Sequence, residues 1–206
     1  MVERARGHRP PPTESSVTGA SWEGEERSRE EHVRVAFTDL DLTEATLDGM
    51  VFTECVFRRA RFNCSRHTNG AFVNCTFANC DFFETHFTDC KLVGSTFDRC
   101  TFALVEAEGG NWSHVALRGA DLRNVTFARV RLREADLAGA RLEGATLRDC
   151  DLSGAWLGKA SLSECDLRGS DLTGLDPRET ELRGAVVTFE QAIAIAAGLG
   201  LDVRAE

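Results

Sequence analysis

Cysteine has the widest chemical repertoire of any residue type in this sequence, since a thiolate can ligate a metal, act as a nucleophile or change its redox state. The chain contains eight cysteines and five histidines in 206 residues. No two cysteines have the C-x2-C spacing of a common zinc site, but Cys55 with Cys75 and Cys80 with Cys100 lie 20 residues apart. Whether these thiols can reach a ligand depends on how the chain orients them.

The pattern that orients these side chains is a large apolar residue at every fifth position. The series keeps one phase from Phe37 to Leu182, without an insertion. His67, Ala107 and Pro177 occupy positions of the series without filling them as the other members do. The large members are Phe37, Leu42, Leu47, Phe52, Phe57, Phe62, Phe72, Phe77, Phe82, Phe87, Leu92, Phe97, Phe102, Trp112, Leu117, Leu122, Phe127, Leu132, Leu137, Leu142, Leu147, Leu152, Leu157, Leu162, Leu167, Leu172 and Leu182.

A period of five fits neither an α-helix nor a flat strand. On a helix every fifth residue moves off any one face, and on a strand it alternates between the two faces. The chain must therefore turn once per repeat, and four short sides complete a coil of 20 residues. The sequence predicts an all-β solenoid, a four-sided parallel β-helix whose coils stack at about 4.8 Å. Residues 35–186 would form about 7.6 coils and a rod about 36 Å long.

A second inward position lies two residues before each large one, and in most repeats it holds Ala, Ser, Gly or Cys. Of the eight cysteines, only Cys64 lies outside it. We therefore interpret the others as core thiols, and we predict no metal site and no cofactor. The cysteines in this position are Cys55, Cys75, Cys80, Cys90, Cys100, Cys150 and Cys165.

The histidines do not suggest a catalytic site either. A filled β-helix offers no obvious pocket where a nucleophile, a base and an orienting acid could converge. Only His67 falls in the inward series, where we expect it to be buried and hydrogen-bonded. The sequence predicts that the protein is not an enzyme.

The two ends of the chain differ from the repeats. Residues 1–32 combine a Pro10–Pro12 run with a charged stretch, and we predict that they form a disordered tail, either a flexible terminus or a short interaction arm. Residues 33–187 are predicted to form the β-helix. Residues 188–206 are predicted to cap it, because a solenoid end must be covered.

The predicted cap is a short helix. Thr188 and Gln191 match the capping box S/T-x-x-E/Q, a helix-forming run follows, and Gly198 is placed to end it. One stripe of this helix would cover the last coil or meet a second copy of itself. The stripe contains Phe189, Ile193, Ala196 and Leu199.

Charge is distributed unevenly around the predicted rod. The net charge of −9 argues against a nucleic-acid binder. Between residues 41 and 184, the outward positions on the side that contains Leu42 hold eight acids and four arginines, whereas the other three sides have net charges of −2, −1 and +2. Acids stacked at about 4.8 Å approach the spacing of about 3.4 Å between phosphates of one DNA strand. The eight acids are Asp41, Glu44, Asp81, Glu84, Asp121, Glu143, Glu164 and Glu181.

The repeats ADLRN, ADLAG, CDLSG and SDLTG resemble the A(D/N)LXX motif of the pentapeptide-repeat family over residues 35–186. The segment HTNGAFVNCTF from His67 to Phe77, the step Gly109–Asn111 and the tail VVTFEQAIAIAAGLGL from Val186 to Leu201 resemble the fluoroquinolone-resistance branch, which includes the MfpA and Qnr proteins. Since no insertion breaks the register, the chain is most similar to the loopless MfpA type.

This resemblance implies a right-handed β-helix that dimerises through its C-terminal helices. It also implies an acidic surface that imitates duplex DNA and binds DNA gyrase, a type II topoisomerase. Such binding would protect gyrase from, or modulate it against, quinolones or natural gyrase poisons. A generic repeat scaffold for another cytoplasmic protein is the alternative. No run of 18 apolar residues and no signal-peptide core is present, so we expect a cytoplasmic protein without membrane partners.

Overall fold

The computed structural model describes residues 12 to 204, and it confirms the right-handed, four-sided parallel β-solenoid. Each residue pairs in parallel with the residue 20 positions later, as in the row Val17, Phe37, Phe57, Phe77 and Phe97. Successive coils therefore satisfy each other's backbone hydrogen-bonding groups, which is the arrangement that the five-residue period predicts.

The four sides are named after the core residues Leu42, Leu47, Phe52 and Phe57, and three of them contain regular strands. The Phe57 side contains β1 (Ser15–Thr18), β4 (Val35–Thr38), β7 (Val56–Arg58), β10 (Thr76–Ala78) and β12 (Thr96–Asp98). The Leu47 side contains β2 (Glu26–Ser28), β5 (Thr46–Asp48), β8 (Arg66–Thr68), β11 (His86–Thr88), β13 (Glu106–Glu108), β14 (Thr126–Ala128) and β15 (Thr146–Arg148). The Phe52 side contains β3 (Glu31–Val33), β6 (Val51–Thr53) and β9 (Ala71–Val73).

The Leu42 side is formed by single bridges rather than strands. One ladder runs through Ser21, Asp41, Arg61, Asp81 and Thr101. A second ladder on the same side runs from Asp121 through Arg141 and Ser161 to Glu181. This side is therefore aligned coil by coil in the same register as the others.

The core is a set of stacked columns made of the predicted inward residues. On the Phe57 side, Phe37, Phe57, Phe77 and Phe97 stack with ring centroids 5.0, 4.9 and 4.8 Å apart and interplanar angles of 10° or less. The coil spacing imposes this parallel stack, and rings of neighbouring columns meet edge to face. Burial of such apolar area is the main source of stability in the rod.

The small side chain of Ala107, at a position of the apolar series where most members are large, is compensated by a ring from a neighbouring column. Ala107 lies between Phe87 and Phe127 in its column, where its small side chain leaves space. The Trp112 ring fills this region, with centroids 5.4 Å from Phe87 and 5.3 Å from Phe127. A backbone approach accompanies it, because a Cβ at Gly110 would lie 2.1 Å from the Cys90 carbonyl oxygen.

The first coil lies in the stretch predicted to be a disordered tail, and that prediction is wrong for residues 15–32. Strands β1, β2 and β3 pair with the next coil, and Val17 and Trp22 continue the apolar series one coil earlier. His32 also takes an inward position and stacks on Phe52 at 5.1 Å. The predicted tail residues 1–11 lie outside the described residues.

Arg27 explains why the five-residue apolar pattern did not predict the first coil. It occupies an inward position, where its guanidinium lies 4.1 Å from the centroid of the Trp22 ring. Glu30 accepts from its Nε and Nη2, and Glu25 accepts from its Nη1. These bonds, chiefly the one with Glu30, raise the pKa of Arg27. A charged residue can fill a core position at the end of the rod because it is paired there and still reaches solvent.

The small inward position has a hydrogen-bonding role as well as a packing role. Most of its Cys, Ser and Thr side chains donate to the carbonyl oxygen 23 residues earlier, on the previous coil, whereas Ser65 donates to that of Phe62. Examples are Cys75 to Phe52 at 3.3 Å and Ser95 to Phe72 at 2.7 Å. Burial raises the pKa of the Cys90 and Cys150 thiols to about 11. None of the eight cysteines, all of which lie in the described part of the chain, forms a disulfide, and the seven in this position are core thiols, with Cys100 partly exposed.

The C-terminal cap is α1 (Phe189–Gly198), and both bonds of the predicted capping box form. Gln191 donates its backbone N–H to Thr188 Oγ1 at 3.3 Å, and its side-chain oxygen accepts from the Thr188 backbone at 2.7 Å. The amide nitrogen of Gln191 also donates to two carbonyls of the last coil. The helix ends at Gly198, as predicted, with Leu199 as its C-cap. Gly200 follows in the left-handed conformation, at φ 87°.

His67 is buried in the core, as its place in the inward series predicts. Its ring stacks on Phe87 with centroids 4.9 Å apart. Its Nε2 lies 2.9 Å from Ser65 Oγ, and that hydroxyl donates to the Phe62 carbonyl oxygen at 2.6 Å. Because the single hydroxyl hydrogen is used there, Nε2 carries the proton and donates to Ser65. Burial lowers the pKa of His67 to about 3.

Acid should therefore destabilise the rod through His67. In the unfolded chain the pKa is about 6.5, so protons bind the unfolded state preferentially between about pH 6.5 and pH 3. At pH 4.5 this difference removes about 3 kcal/mol of the stability present at neutral pH. His67→Phe should lack this loss, as measured by urea unfolding at pH 7.5 and pH 4.5. An equal loss in both proteins would exclude His67 as the cause.

Removal of a core thiol should affect stability alone. Cys75→Ala should cost about 1 kcal/mol in urea unfolding, because a buried sulfur and its bond to Phe52 are lost. Cys75→Ser should cost less, since Ser95 makes the equivalent bond one coil later. Elemental analysis should find no stoichiometric zinc in either protein. One tightly held zinc ion per chain would contradict the core-thiol interpretation.

Candidate partner-binding surface

Each repeat on the Leu42 side presents three outward positions, and they have different roles. We call the residue before the core residue the edge position and the residue two after it the corner position. The corner backbone is left-handed, as at Glu44, Glu84 and Glu164 with φ values of 58°, 50° and 60°. The predicted acids occupy both positions. Asp41, Asp81, Asp121 and Glu181 are edge residues, Glu143 lies between the two positions, and the other three are corner residues.

The edge aspartates are part of the turn that bends the chain. Asp41 accepts from the backbone N–H of Thr43 at 3.1 Å, and Asp81 accepts from that of Phe83 at 3.2 Å. Asp121 does the same for Arg123 at 3.4 Å. Edge aspartates on the other sides repeat this bond. They are Asp136, Asp151, Asp166, Asp171 and Asp176. An aspartate at the edge therefore stabilises the turn of its own repeat, whichever side of the rod it lies on.

Arginines also neutralise part of the edge column. Arg61 pairs with Asp41 on the previous coil. Burial opposes ionisation of Asp41, but its bonds from Thr43 and Arg61 outweigh that effect and lower its pKa. Arg123 donates to both oxygens of Asp121, at 2.8 and 2.6 Å. These bonds are the main reason why the pKa of Asp121 is lowered. The edge column therefore carries less net negative charge than its number of aspartates suggests.

The corner acids remain available to a partner. Glu44 and Glu164 are exposed, and neither makes an ion pair within the described residues. Glu84 accepts only a weak bond from Cys64 Sγ at 3.5 Å. Burial, followed by that bond, raises the pKa of the Cys64 thiol.

The remaining two predicted acids are partly occupied. Glu181 lies 3.7 Å from Arg183 and 3.5 Å from the Ser161 hydroxyl. One carboxylate oxygen of Glu143 is buried without a hydrogen-bond partner in the described part of the chain. The eight acids thus share one side, as the register predicts, but they do not form a uniform column of free charge.

Two apolar side chains interrupt this acidic side, and the sequence analysis did not single them out. Phe83 is 39% exposed and Leu104 is 46% exposed. They lie on neighbouring coils, between the acids of the N-terminal half and those of the C-terminal half. The five-residue register places both positions outward, so an apolar residue there was a signal that could have been found.

The predicted dimer stripe is accessible at the C-terminal end. Phe189 is 77% exposed, Ile193 is 38% exposed and Leu199 is 46% exposed, whereas Ala196 is half-buried. The opposite face of α1, including Gln191, covers the last coil instead. The stripe therefore does not serve as the cover.

The described residues contain no group of three or more His, Cys, Asp or Glu side chains arranged to hold a metal ion. The indentations on the rod are shallow clefts, one of them between α1 and the last coil. Across residues 12–204, no helix has the length and apolar character that a membrane span requires.

Known structures share this fold. The full-length structure of QnrB1, described as a plasmid-mediated fluoroquinolone resistance protein, matches with a TM-score of 0.74 and 20% identity, over 91% of this chain and 98% of that one. Two trypsin-treated QnrB1 variants match with TM-scores of 0.76 and 0.77 and identities of 21% and 20%, over 92% and 94% of this chain and 97% of each of theirs. No curated protein sequence matches significantly.

Family models match most of the repeats. A model described as a pentapeptide repeat region matches residues 60–137 and 80–157. A second model, described as pentapeptide repeats in eight copies, matches residues 37–66 and 160–189. These matches cover well over half of the 206 residues, so the chain belongs to the pentapeptide-repeat family.

Proposed function

We propose that this protein is a non-catalytic mimic of DNA that binds DNA gyrase in the cytoplasm and protects or modulates it against quinolones or natural gyrase poisons. The observation that carries this proposal is the excess of acids over arginines on the Leu42 side, which is larger than on any other side of the rod. A protein that needs charge only for solubility has no reason to concentrate its negative charge on one side. The fold shared with the fluoroquinolone resistance protein QnrB1 supports the same function.

The corner acids are the groups best suited to this role. They are fixed by the left-handed backbone, they are largely unpaired, and they project from the same corner of the rod. Coils spaced by about 4.8 Å set the distance between successive positions on that corner. Glu44 and Glu84 lie two coils apart, about 10 Å, and Glu84 and Glu164 lie four coils apart, about 19 Å. A basic groove that binds DNA phosphates would therefore meet three separated carboxylates in one line.

A generic scaffold for another cytoplasmic protein is the second candidate function. The neutralised edge aspartates favour it, since a mimic gains nothing from arginines that pair with its own acids. The two candidates differ in their partner and in salt dependence. A mimic must bind gyrase, and its binding must weaken steeply with added salt.

We further propose that two copies associate through α1. Phe189, Ile193 and Leu199 form an exposed apolar stripe at one end of the rod, and Leu201 and Val203 extend it with exposures of 61% and 49%. A two-fold axis through this end would bury the apolar stripe and place two rods end to end. The acidic side would then extend over twice the length.

Charge reversal at the corners of the Leu42 side should abolish gyrase binding. The triple variant Glu44→Lys, Glu84→Lys and Glu164→Lys leaves the turn-forming edge aspartates intact, so the fold should be retained. Binding of purified gyrase, measured by surface plasmon resonance, should fall at least tenfold, since a basic groove then meets cations. Protection of gyrase supercoiling in the presence of ciprofloxacin should be lost with it.

The chain provides a matched control for this variant. Glu54, Asp89 and Asp149 are also left-handed corner residues, with φ values of 55°, 51° and 53°, but they lie on the Phe52 and Leu47 sides. Their reversal to lysine changes the net charge by the same amount and should alter binding little. Equal losses from the two variants would refute recognition by the Leu42 side. No effect of the wild type on gyrase would favour the scaffold.

The dimer should dissociate when a charge enters the apolar stripe. Ile193→Asp would bury a carboxylate at the proposed interface, so light scattering should report a monomer where the wild type is a dimer. The circular dichroism spectrum should not change, because the side chain does not contact the core. A monomeric wild type would show that the proposed association is wrong.

A further inference from the structure

Phe83 and Leu104 are unusual among the outward residues of the rod. Between residues 35 and 175 of the described chain, Trp156 is the only other large hydrophobic residue that is exposed. The outward positions that correspond to Phe83 on the flanking coils hold Asn63 and Ala103. Because neither neighbour is large, the Phe83 ring is not needed to cover any apolar surface of the rod itself.

Leu104 is held in a backbone conformation that suits other residues better. Its φ is 59°, and of the 21 non-glycine residues with positive φ among residues 12–204 it is the only one with an aliphatic side chain. On the Leu42 side, the same corner position is taken by Asn124 and Gly144, residue types that adopt this conformation readily. The left-handed backbone at each corner belongs to the fold, so Leu104 is unusual for its residue type, since an aliphatic side chain is kept there at a conformational cost that Asn124 and Gly144 avoid.

The surroundings of these two residues are polar and acidic. Asp81 precedes the Phe83 ring by two residues and is fixed by Asn63, at 3.0 Å, and by Thr101. Glu84 follows it directly. A shallow cleft beside Leu104 is lined by Ala103, Asp121 and Arg123. An apolar centre inside a polar rim is the usual composition of a protein–protein hot spot.

We propose that Phe83 and Leu104 form an apolar anchor at the middle of the acidic side, and that they insert into an apolar pocket on the basic surface of a protein partner. This inference rests on the proposed function and identifies the determinant of selectivity within that surface. Carboxylates alone would attract any basic DNA-binding surface, whereas an apolar anchor binds only where a complementary pocket exists. The charges then set the rate of encounter, and the anchor sets the lifetime of the complex.

The variant that tests the anchor uses residues already present on the same side. Phe83→Thr with Leu104→Asn introduces the residue types found at Thr43 and Asn124, so the rod should remain at least as stable as the wild type. Binding to purified gyrase should weaken at least tenfold through faster dissociation. The slope of log Kd against log salt concentration should not change, because no charge is altered. Phe83→Thr alone should show the same direction of effect, should the double variant fold poorly.

Val33→Thr with Trp156→Thr is the matched control, since Val33 is 49% and Trp156 53% exposed on other sides of the rod. This control should bind gyrase like the wild type. Unchanged affinity in the Phe83 and Leu104 variants would overturn the anchor and leave the proposed function standing. Equal weakening in the control would overturn it as well. If the wild type does not bind gyrase, the proposed function is wrong and the anchor falls with it.

Discussion

Every feature of this rod depends on the backbone hydrogen bonds between coils, which hold each residue in register with the residue 20 positions later. These bonds stack equivalent positions of the repeat directly above one another, so the side chains within each column must pack together without repulsion. In the core columns, parallel aromatic rings stack, such as Phe57 on Phe77. In the outward columns, ion pairs form between coils, such as Arg59 with Asp39. Local sequence and long-range contact are therefore the same constraint in this fold.

The same stacking limits how acidic one side can be. Like charges repeated at about 4.8 Å repel one another, and a column of aspartates along the edge would lower the stability of the rod. This chain alternates Asp41 with Arg61 and Asp121 with Arg141, which removes the repulsion and also removes free charge. The corner acids Glu44, Glu84 and Glu164 make no ion pair in the described chain, and neutral residues separate them along their column. The charge pattern is thus a compromise between a stable solenoid and an acidic face.

The sequence predicted the core in detail because the period of five determines which residues point inward. His67 and the cysteines show that the register predicts orientation even when the residue type is polar. The first coil was missed because Arg27 and His32 occupy its inward positions, and hydrophobic periodicity does not detect paired or stacked polar residues. The hydrogen-bond and ion-pair partners of each acid also could not be predicted from the sequence. Whether a carboxylate accepts from a turn or pairs with an arginine depends on contacts between coils.

A solenoid is well suited to displaying a binding surface, because each outward side chain is held by the coils directly above and below it. Little conformational entropy is lost when such a surface binds, so weak individual contacts can add up to useful affinity. Each coil contacts only its neighbours, and a substitution on one corner therefore leaves distant coils undisturbed. The charged residues and the apolar anchor residues can consequently be substituted independently of one another in this fold. A rod of this kind can acquire selectivity for one basic partner by altering a few outward residues while its core columns stay the same.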